Sequence, residues 1–446
     1  MEHYIFYCKL SLLAVLSLIT ACCMLSRRWY VNLAAFLACL SGETFLAHLF
    51  FPGYMLCPAA ASFIILFLSR IWDLSRTSAK GNGADPIRLP VRSGIRESRL
   101  EFYYYYSNFL VYGGAGSGKT KSIGKWLLSE YMRLGFAGFI YDFKDTDYTR
   151  TAYNLIKRHR YPHKFYYVSF DRPERSYRFN PLKVVRDRTE LIQLMEDVLL
   201  ALLPKKEQQN EWVAGGLGIL RGVAFRFWDE FPEHCTLPHI LAFIMTASAR
   251  QLSLFLQQNL VSEMLAGAYL KAEGSEKTQA SYLSTLCNNL ATVSQNEEIA
   301  YVLSGDDFDF NLIDPENPKL FAVSNNFSKN SVYAPVISML MTISARQFSM
   351  QNRVPFVYFL DEMTTVNIKN FETLPSVLRE YKAAFILLTQ SGSKVENQYG
   401  RLDRSSVEAN FGNQFFGRTK DVESLKYYPM ICLLYTSPSP RDTERS

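Results

Sequence analysis

Among its eight cysteines the sequence has no C-x-x-C pair. Cys8, Cys22, Cys23, Cys39 and Cys57 lie in an apolar N-terminal region, Cys235 and Cys287 stand alone, and Cys432 is near the end. No zinc site and no disulfide framework follows, and free thiols fit a reducing compartment. The six histidines are scattered without an H-E-x-x-H, and no G-x-S-x-G occurs. The helix-borne zinc site and the serine elbow that those patterns build are therefore excluded. No internal repeat is visible. Charge is sparse: 20% of residues are charged, 48% are hydrophobic, and the formal net charge is only +6. This balance excludes wholesale disorder. A mild positive charge suits an anionic partner, and equally a plain enzyme with a basic membrane flank. At 446 residues the chain is too long for one ordinary core and implies two or three domains.

What is present begins with an apolar N-terminus. Residues 4–25 carry one charge, Lys9, and are long enough to span a bilayer. Residues 29–50 are a weaker candidate, because Glu43 and His48 sit within them. Residues 54–68 are again apolar, with Pro52-Gly53 as a turn before them and Trp72 at an interface after them. Arg27 and Arg28 follow the first span, and Arg70, Arg76 and Lys80 the last. Three spans with the N-terminus outside put both basic clusters in the cytoplasm; two spans leave the first cluster outside. Residues 1–74 are thus expected to be a transmembrane anchor of two to three helices. The apolar segments run well past any cleavage site, which argues against a signal peptide.

Residues 75–101, rich in Arg, Gly, Pro and Ser, read as a basic linker. Residues 108–112 read as a buried strand, 122–134 as a helix, and 137–141 and 164–170 as further strands. Residues 187–303 have helical spacing and few strand signals, so an all-α domain inserted into an α/β core is expected there. Strand patterns resume at 319–324, 355–360, 384–389 and 413–416. Strands alternating with helices predict a mostly parallel sheet covered on both faces. The expected nucleotide-binding domain therefore has a first part at 102–186 and a second at 304–431.

Gly113-Gly114-Ala115-Gly116-Ser117-Gly118-Lys119-Thr120 satisfies G-x-x-x-x-G-K-[ST] after an apolar strand and before a helix. The glycines admit phosphates to backbone N–H groups, and the helix N-terminus faces the anion. Lys119 brings charge to the β- and γ-phosphates of ATP, and Thr120 offers a hydroxyl to Mg2+. Lys121 closes the candidate nucleotide-binding run.

Phe356 to Leu360 read as a buried strand that delivers Asp361 as a second Mg2+ ligand, with Glu362 beside it as general base. A solvated loop acid is the plainer reading of Glu362. Gln390, at the tip of the strand over 384–389, is placed to sense the γ-phosphate and orient water; Ser391-Gly392-Ser393 after it also allow a simple turn. Arg379 is a candidate arginine finger acting on a neighbouring subunit, or a solvated helix charge.

Several stretches together resemble the type IV coupling proteins of bacterial conjugation. The phosphate loop 113–122, Tyr141-Asp142-Phe143-Lys144-Asp145, Phe179-Asn180-Pro181-Leu182 and Leu360-Asp361-Glu362 follow that family's order. Leu388-Thr389-Gln390-Ser391 with Tyr399-Gly400, then Asn410-Phe411-Gly412-Asn413, and Asp421 with Glu423, continue it, and the spacing of Arg379 suits the family's finger. The resemblance covers most of 105–430. It implies a RecA-like P-loop ATPase core, usually hexameric, in the bacterial inner membrane with the ATPase in the cytoplasm. It implies single-stranded DNA carrying a relaxase as cargo, and a type IV secretion channel as docking partner. The family commonly has two spans, against the two to three read here.

Residues 432–446 resemble a translated transposase adapter from sequencing libraries, so the chain reads as truncated near Ile431; a disordered Pro/Ser-rich tail is the alternative. Two other functions stay open. One is a related DNA translocase or secretion ATPase. The other is a membrane receptor for DNA or protein with ATP as an assembly signal.

Overall fold

The computed structural model describes residues 85–93, 96–144, 146–203, 210–419, 421 and 424–426. The expected anchor (1–74), the start of the linker and the tail (432–446) lie outside the described residues. Among the described residues no helix is long and apolar enough to cross a membrane.

The first elements correct an expectation. β1 (Ile87–Ser93) and β2 (Arg96–Phe102) form an antiparallel hairpin where a linker through 101 was predicted. Ile87 and Leu89 alternate inward and are buried with Leu127, Leu128 and Tyr131 of the first long helix. The backbone N–H of Arg88 donates to Glu130 Oε2 at 2.8 Å. The arginine-rich composition of the segment hides this short alternation and reads as a solvated strap.

β3 (Phe109–Tyr112) follows, buried throughout. A π-helical turn (Lys119–Gly124) runs into α1 (Lys125–Arg133), then come β4 (Ala137–Asp142), α2 (Asp147–His159) and β5 (Lys164–Ser169). Between β5 and β6 the described residues form helices and no strand. These are α3 (Arg188–Ala201), α4 (Glu211–Glu230), α5 (Leu237–Thr246), α6 (Ala249–Gln257), α7 (Leu260–Leu265), α8 (Gly267–Lys271), α9 (Glu276–Ser294) and α10 (Glu297–Leu303). Side-chain caps set the starts of the first four: Asp187 on α3, Asn210 on α4, Thr236 on α5, and a Ser248–Gln251 capping box on α6.

The chain returns to the sheet with β6 (Lys319–Ser324), α11 (Asn330–Arg346), β7 (Phe356–Asp361) and α12 (Leu374–Glu380). It ends with β8 (Ala383–Thr389), α13 (Gly392–Tyr399), α14 (Arg401–Ala409) and β9 (Asn413–Phe416). The seven strands run in the order β5-β6-β4-β7-β8-β3-β9, and every neighbouring pair is parallel.

Alternation along the strands splits the core between the two faces. Phe109, Val111, Phe359 and Ile386 pack with Leu127 and Tyr148 of α1 and α2. Leu110, Phe139, Tyr358 and Phe385 face the other way, into a core continuous with the helices of 188–303. Phe179, Phe310 and Phe321 join the two parts, with ring centroids 4.9 Å and 5.0 Å apart. The register pairs Tyr112 with Thr389, Asp361 with Leu388 and Tyr141 with Leu360. The carboxyl ends of β3, β4, β7 and β8 therefore finish together, where parallel α/β sheets bind their ligands.

Candidate active site

The loop after β3 is built for close approach. The Gly113 N–H donates to Thr389 O at 3.2 Å and the Gly114 N–H to Arg418 O at 3.0 Å. These bonds tie the loop to the tip of β8 and to the segment after β9. A Cβ on Gly113 would lie 2.4 Å from Ser117 Oγ. Gly116 and Gly118 have φ of 74° and 86°, the left-handed region where only glycine is unstrained. Ala115 and Gly116 are exposed at the loop's crest. Lys119 and Thr120 then open the helix, and Lys121 points to the exposed side of it. The buried Ser117 hydroxyl has no hydrogen-bond partner among the described residues.

Two acids close the other wall. Asp361, the last residue of β7, is 1% exposed, and its Oδ2 has no hydrogen-bond partner among the described residues. Burial pushes its carboxyl up to about 7; Lys144 and Lys119 oppose this, while Asp142 and Glu362 add to it. Asp142, one residue beyond the Tyr141–Leu360 pair, ends the neighbouring strand β4. Burial raises its pKa too, against bonds from the Thr149 N–H (2.8 Å) and hydroxyl (2.9 Å). Asp142 is thus satisfied within the protein, whereas Asp361 has a lone pair to spare.

Glu362 turns out of the strand in left-handed backbone, with φ 48° and ψ 53°. For a residue with a Cβ this conformation costs on the order of 1 kcal/mol, and here it aims the side chain back into the site. Its Oε2 is 3.6 Å from Lys119 Nζ, and its Oε1 is 3.7 Å from Lys394 Nζ. Oε1 also accepts from the backbone N–H of Gln390 at 3.2 Å and from the hydroxyls of Thr389 at 3.4 Å and Thr364 at 3.5 Å. Burial pulls the Lys119 ammonium down, while the charges of Glu362 and Asp361 oppose that pull.

The structure therefore brings Gly113–Thr120, Asp361, Glu362 and Gln390 to one edge of the sheet. Gln390 meets Glu362 through its backbone N–H. Arg379 is not part of the cluster. It is exposed near the end of α12, before the amino end of β8, about 20 Å of strand from the Thr389 tip. The sequence reading left Asp142 and Lys394 out of the site. Asp142 had a signal, since it ends a buried strand as Asp361 does. Lys394 had none, since only the fold brings it to Glu362.

Among the described residues no group of three or more His, Cys, Asp or Glu could hold a metal ion. A hydroxyl at Thr120 and an unpartnered carboxylate oxygen at Asp361 nonetheless suit Mg2+, which takes few protein ligands and completes its shell with phosphate oxygens and water. The left-handed glycines and the buried ammonium of Lys119 suit the phosphates.

The family model for the type IV secretion-system coupling protein DNA-binding domain matches residues 100–431. Among solved structures the chain is similar to the plasmid coupling protein TrwB in complex with ADP and Mg2+. The identity is 16% and the TM-score 0.56, over 74% of this chain and 79% of that one. It is likewise similar to the bacterial conjugative coupling protein TrwBΔN70 in its trigonal form with sulphate. There the identity is 17% and the TM-score 0.54, over 69% of each chain. At these identities the likeness concerns the fold. No curated protein matches the chain significantly in sequence.

Proposed function

The chain belongs to the type IV secretion-system coupling proteins, and we propose that it is a membrane-anchored ATPase that drives DNA transfer in conjugation. Residues 1–74 hold it in the bacterial inner membrane with the ATPase in the cytoplasm. Its cargo is single-stranded DNA bound to a relaxase, and its docking partner is the type IV secretion channel. The working form is a homo-hexamer.

One arrangement carries the reading: a buried Glu362 fixed by a backbone amide and beside Lys119, at the edge where the phosphate loop opens. The solved complex of TrwB with ADP and Mg2+ supports ATP and Mg2+ as its ligands. Bound Mg–ATP supplies the phosphoryl group and the charge neutralisation that phosphoryl transfer needs. The protein does the rest by position. The backbone of 113–118 and Lys119 hold the β- and γ-phosphates, and Thr120 and Asp361 hold the metal. Glu362 accepts a proton from the attacking water at a carboxylate oxygen. Gln390 orients that water, and Arg379 enters from the neighbouring subunit. The helices of 187–303 lie on the cytoplasmic side, where cargo is read. DNA is gripped chiefly through phosphate, which makes binding salt-sensitive.

The test is ATP hydrolysis by the full chain in detergent, with and without single-stranded DNA, beside Lys119→Ala and Glu362→Gln. DNA-stimulated turnover lost in both variants supports the motor. Transfer that survives in Glu362→Gln without hydrolysis overturns it in favour of a receptor for which ATP is an assembly signal.

A further inference from the structure

Glu362 is held from two sides by cations of different character. Lys119 is almost wholly buried, with 7% of its side chain exposed, as is Glu362 with 2%. Lys394 is 45% exposed and reaches Oε1 from α13. Its position is built into the fold. Ser391 caps α13 and accepts the Lys394 N–H at 3.4 Å. The Ser393 hydroxyl lies 3.0 Å and 3.1 Å from the two Asp421 carboxylate oxygens, which ties the helix start to the segment beyond β9.

The nucleotide site described above asks Lys119 to turn towards phosphate. That turn would strand a buried carboxylate, a costly state unless another cation is in place. We propose that Lys394 is a positioning residue that takes over the charge of Glu362 when Lys119 engages a nucleoside triphosphate. Glu362 then keeps Lys394, the Thr364 and Thr389 hydroxyls and the Gln390 N–H as partners on Oε1, while Oε2 is released to face water. The inference rests on the nucleotide-binding reading of the site and adds the residue that makes Lys119 free to leave.

The measurement is the affinity of the full chain for Mg2+ with a non-hydrolysable ATP analogue, by calorimetry, alongside kcat and KM. Lys394→Ala should weaken analogue binding about fivefold and lower kcat, since the half-exposed cation contributes on the scale of a surface pair. Lys394→Arg keeps the cation beside Glu362 and should stay within about twofold of the parent. In a Glu362→Gln background, which has no carboxylate to hold Lys119, adding Lys394→Ala should change affinity by less than about twofold. An unaltered affinity in Lys394→Ala overturns the proposal. So does an equal loss in the Glu362→Gln background, which would mean that Lys394 touches the nucleotide itself. If Lys119→Ala binds the analogue as the parent does, the nucleotide site has been misassigned, and this inference falls with it.

Discussion

The Lys119 ammonium lies 3.6 Å from Glu362 Oε2, and neither side chain has appreciable contact with solvent. Lys119 opens the helix after the first strand of the sheet and Glu362 follows β7, so only the parallel register brings them together. The pairing separates two roles in one experiment. Glu362→Gln removes the carboxylate that competes with phosphate for Lys119. It should therefore bind the ATP analogue at least as tightly as the parent, while turnover falls about a thousandfold, the scale of lost general-base catalysis. Lys119→Ala should lose analogue binding itself. Calorimetry with a turnover assay on the same preparations checks both, and weakened binding in Glu362→Gln would count against the pairing.

Asp361 makes the nucleotide-free protein sensitive to pH. Its carboxyl is raised from the usual 3.8 to about 7 by burial, so the folded chain binds a proton that the unfolded chain releases between those values. The stability that this proton contributes is fully present below about pH 4 and is lost as pH rises through 7, at no more than about 1.4 kcal/mol per pH unit. Asp361→Asn removes the titration. The melting temperature of the parent, compared with that of Asp361→Asn, should fall between pH 5 and pH 7 and level off above pH 8. A gap that stays constant with pH would mean that Asp361 is solvated or paired in the folded chain.

A second buried charge ties the helical segment to the sheet. Asp197 on α3 has 6% of its side chain exposed and pairs with Arg346 of α11; its other oxygen is 2.8 Å from Lys369 Nζ. Lys369 is half exposed, on the segment that follows Glu362. Asp197→Ala leaves Arg346 without its carboxylate and should cost about 3 kcal/mol. Lys369→Met removes only a solvated partner and should cost under about 1 kcal/mol. Thermal melts of the two variants give the ranking, and the reverse order would place the energetic weight on Lys369.

What was legible in the sequence follows from how local the signals are. The strand, glycine loop and helix around Lys119 are contiguous, and the run from Phe356 to Asp361 is apolar to its acidic end, so both could be read without the fold. The segment from Asn413 to Phe416 reads as a strand and is one. The hairpin from Ile87 to Phe102 is hard to read because only Ile87 and Leu89 mark a buried alternation in β1, while the arginines, serines and proline of the segment look like a linker by composition. Lys394 was missed for a different reason: its partner Glu362 is remote in sequence, and no periodicity marks a contact made across two strand ends. The pairing of Asp197 with Lys369 belongs to the same class.

Arg379 gives the sharpest test of assembly. It is exposed near the end of α12, before β8, whereas the phosphate loop, Asp361 and Glu362 gather at the carboxyl end of that strand. Seven strand residues separate the two ends by about 20 Å, so Arg379 does not serve the site of its own chain without a rearrangement of the sheet. If it acts, it acts on a neighbour. Arg379→Ala and Lys119→Ala should each abolish turnover alone, because one lacks the finger and the other lacks the site. Mixed in equal amounts before assembly, they should regain activity. A working site needs an intact Lys119 on one subunit and an intact Arg379 on the next, which is half times half, or about a quarter of all sites. The regained turnover should vanish when the two variants are assembled separately and combined without exchange. If the mixed assemblies stay inactive, Arg379 does not act across the subunit boundary, and its exposed place on α12 is then that of a solvated helix charge.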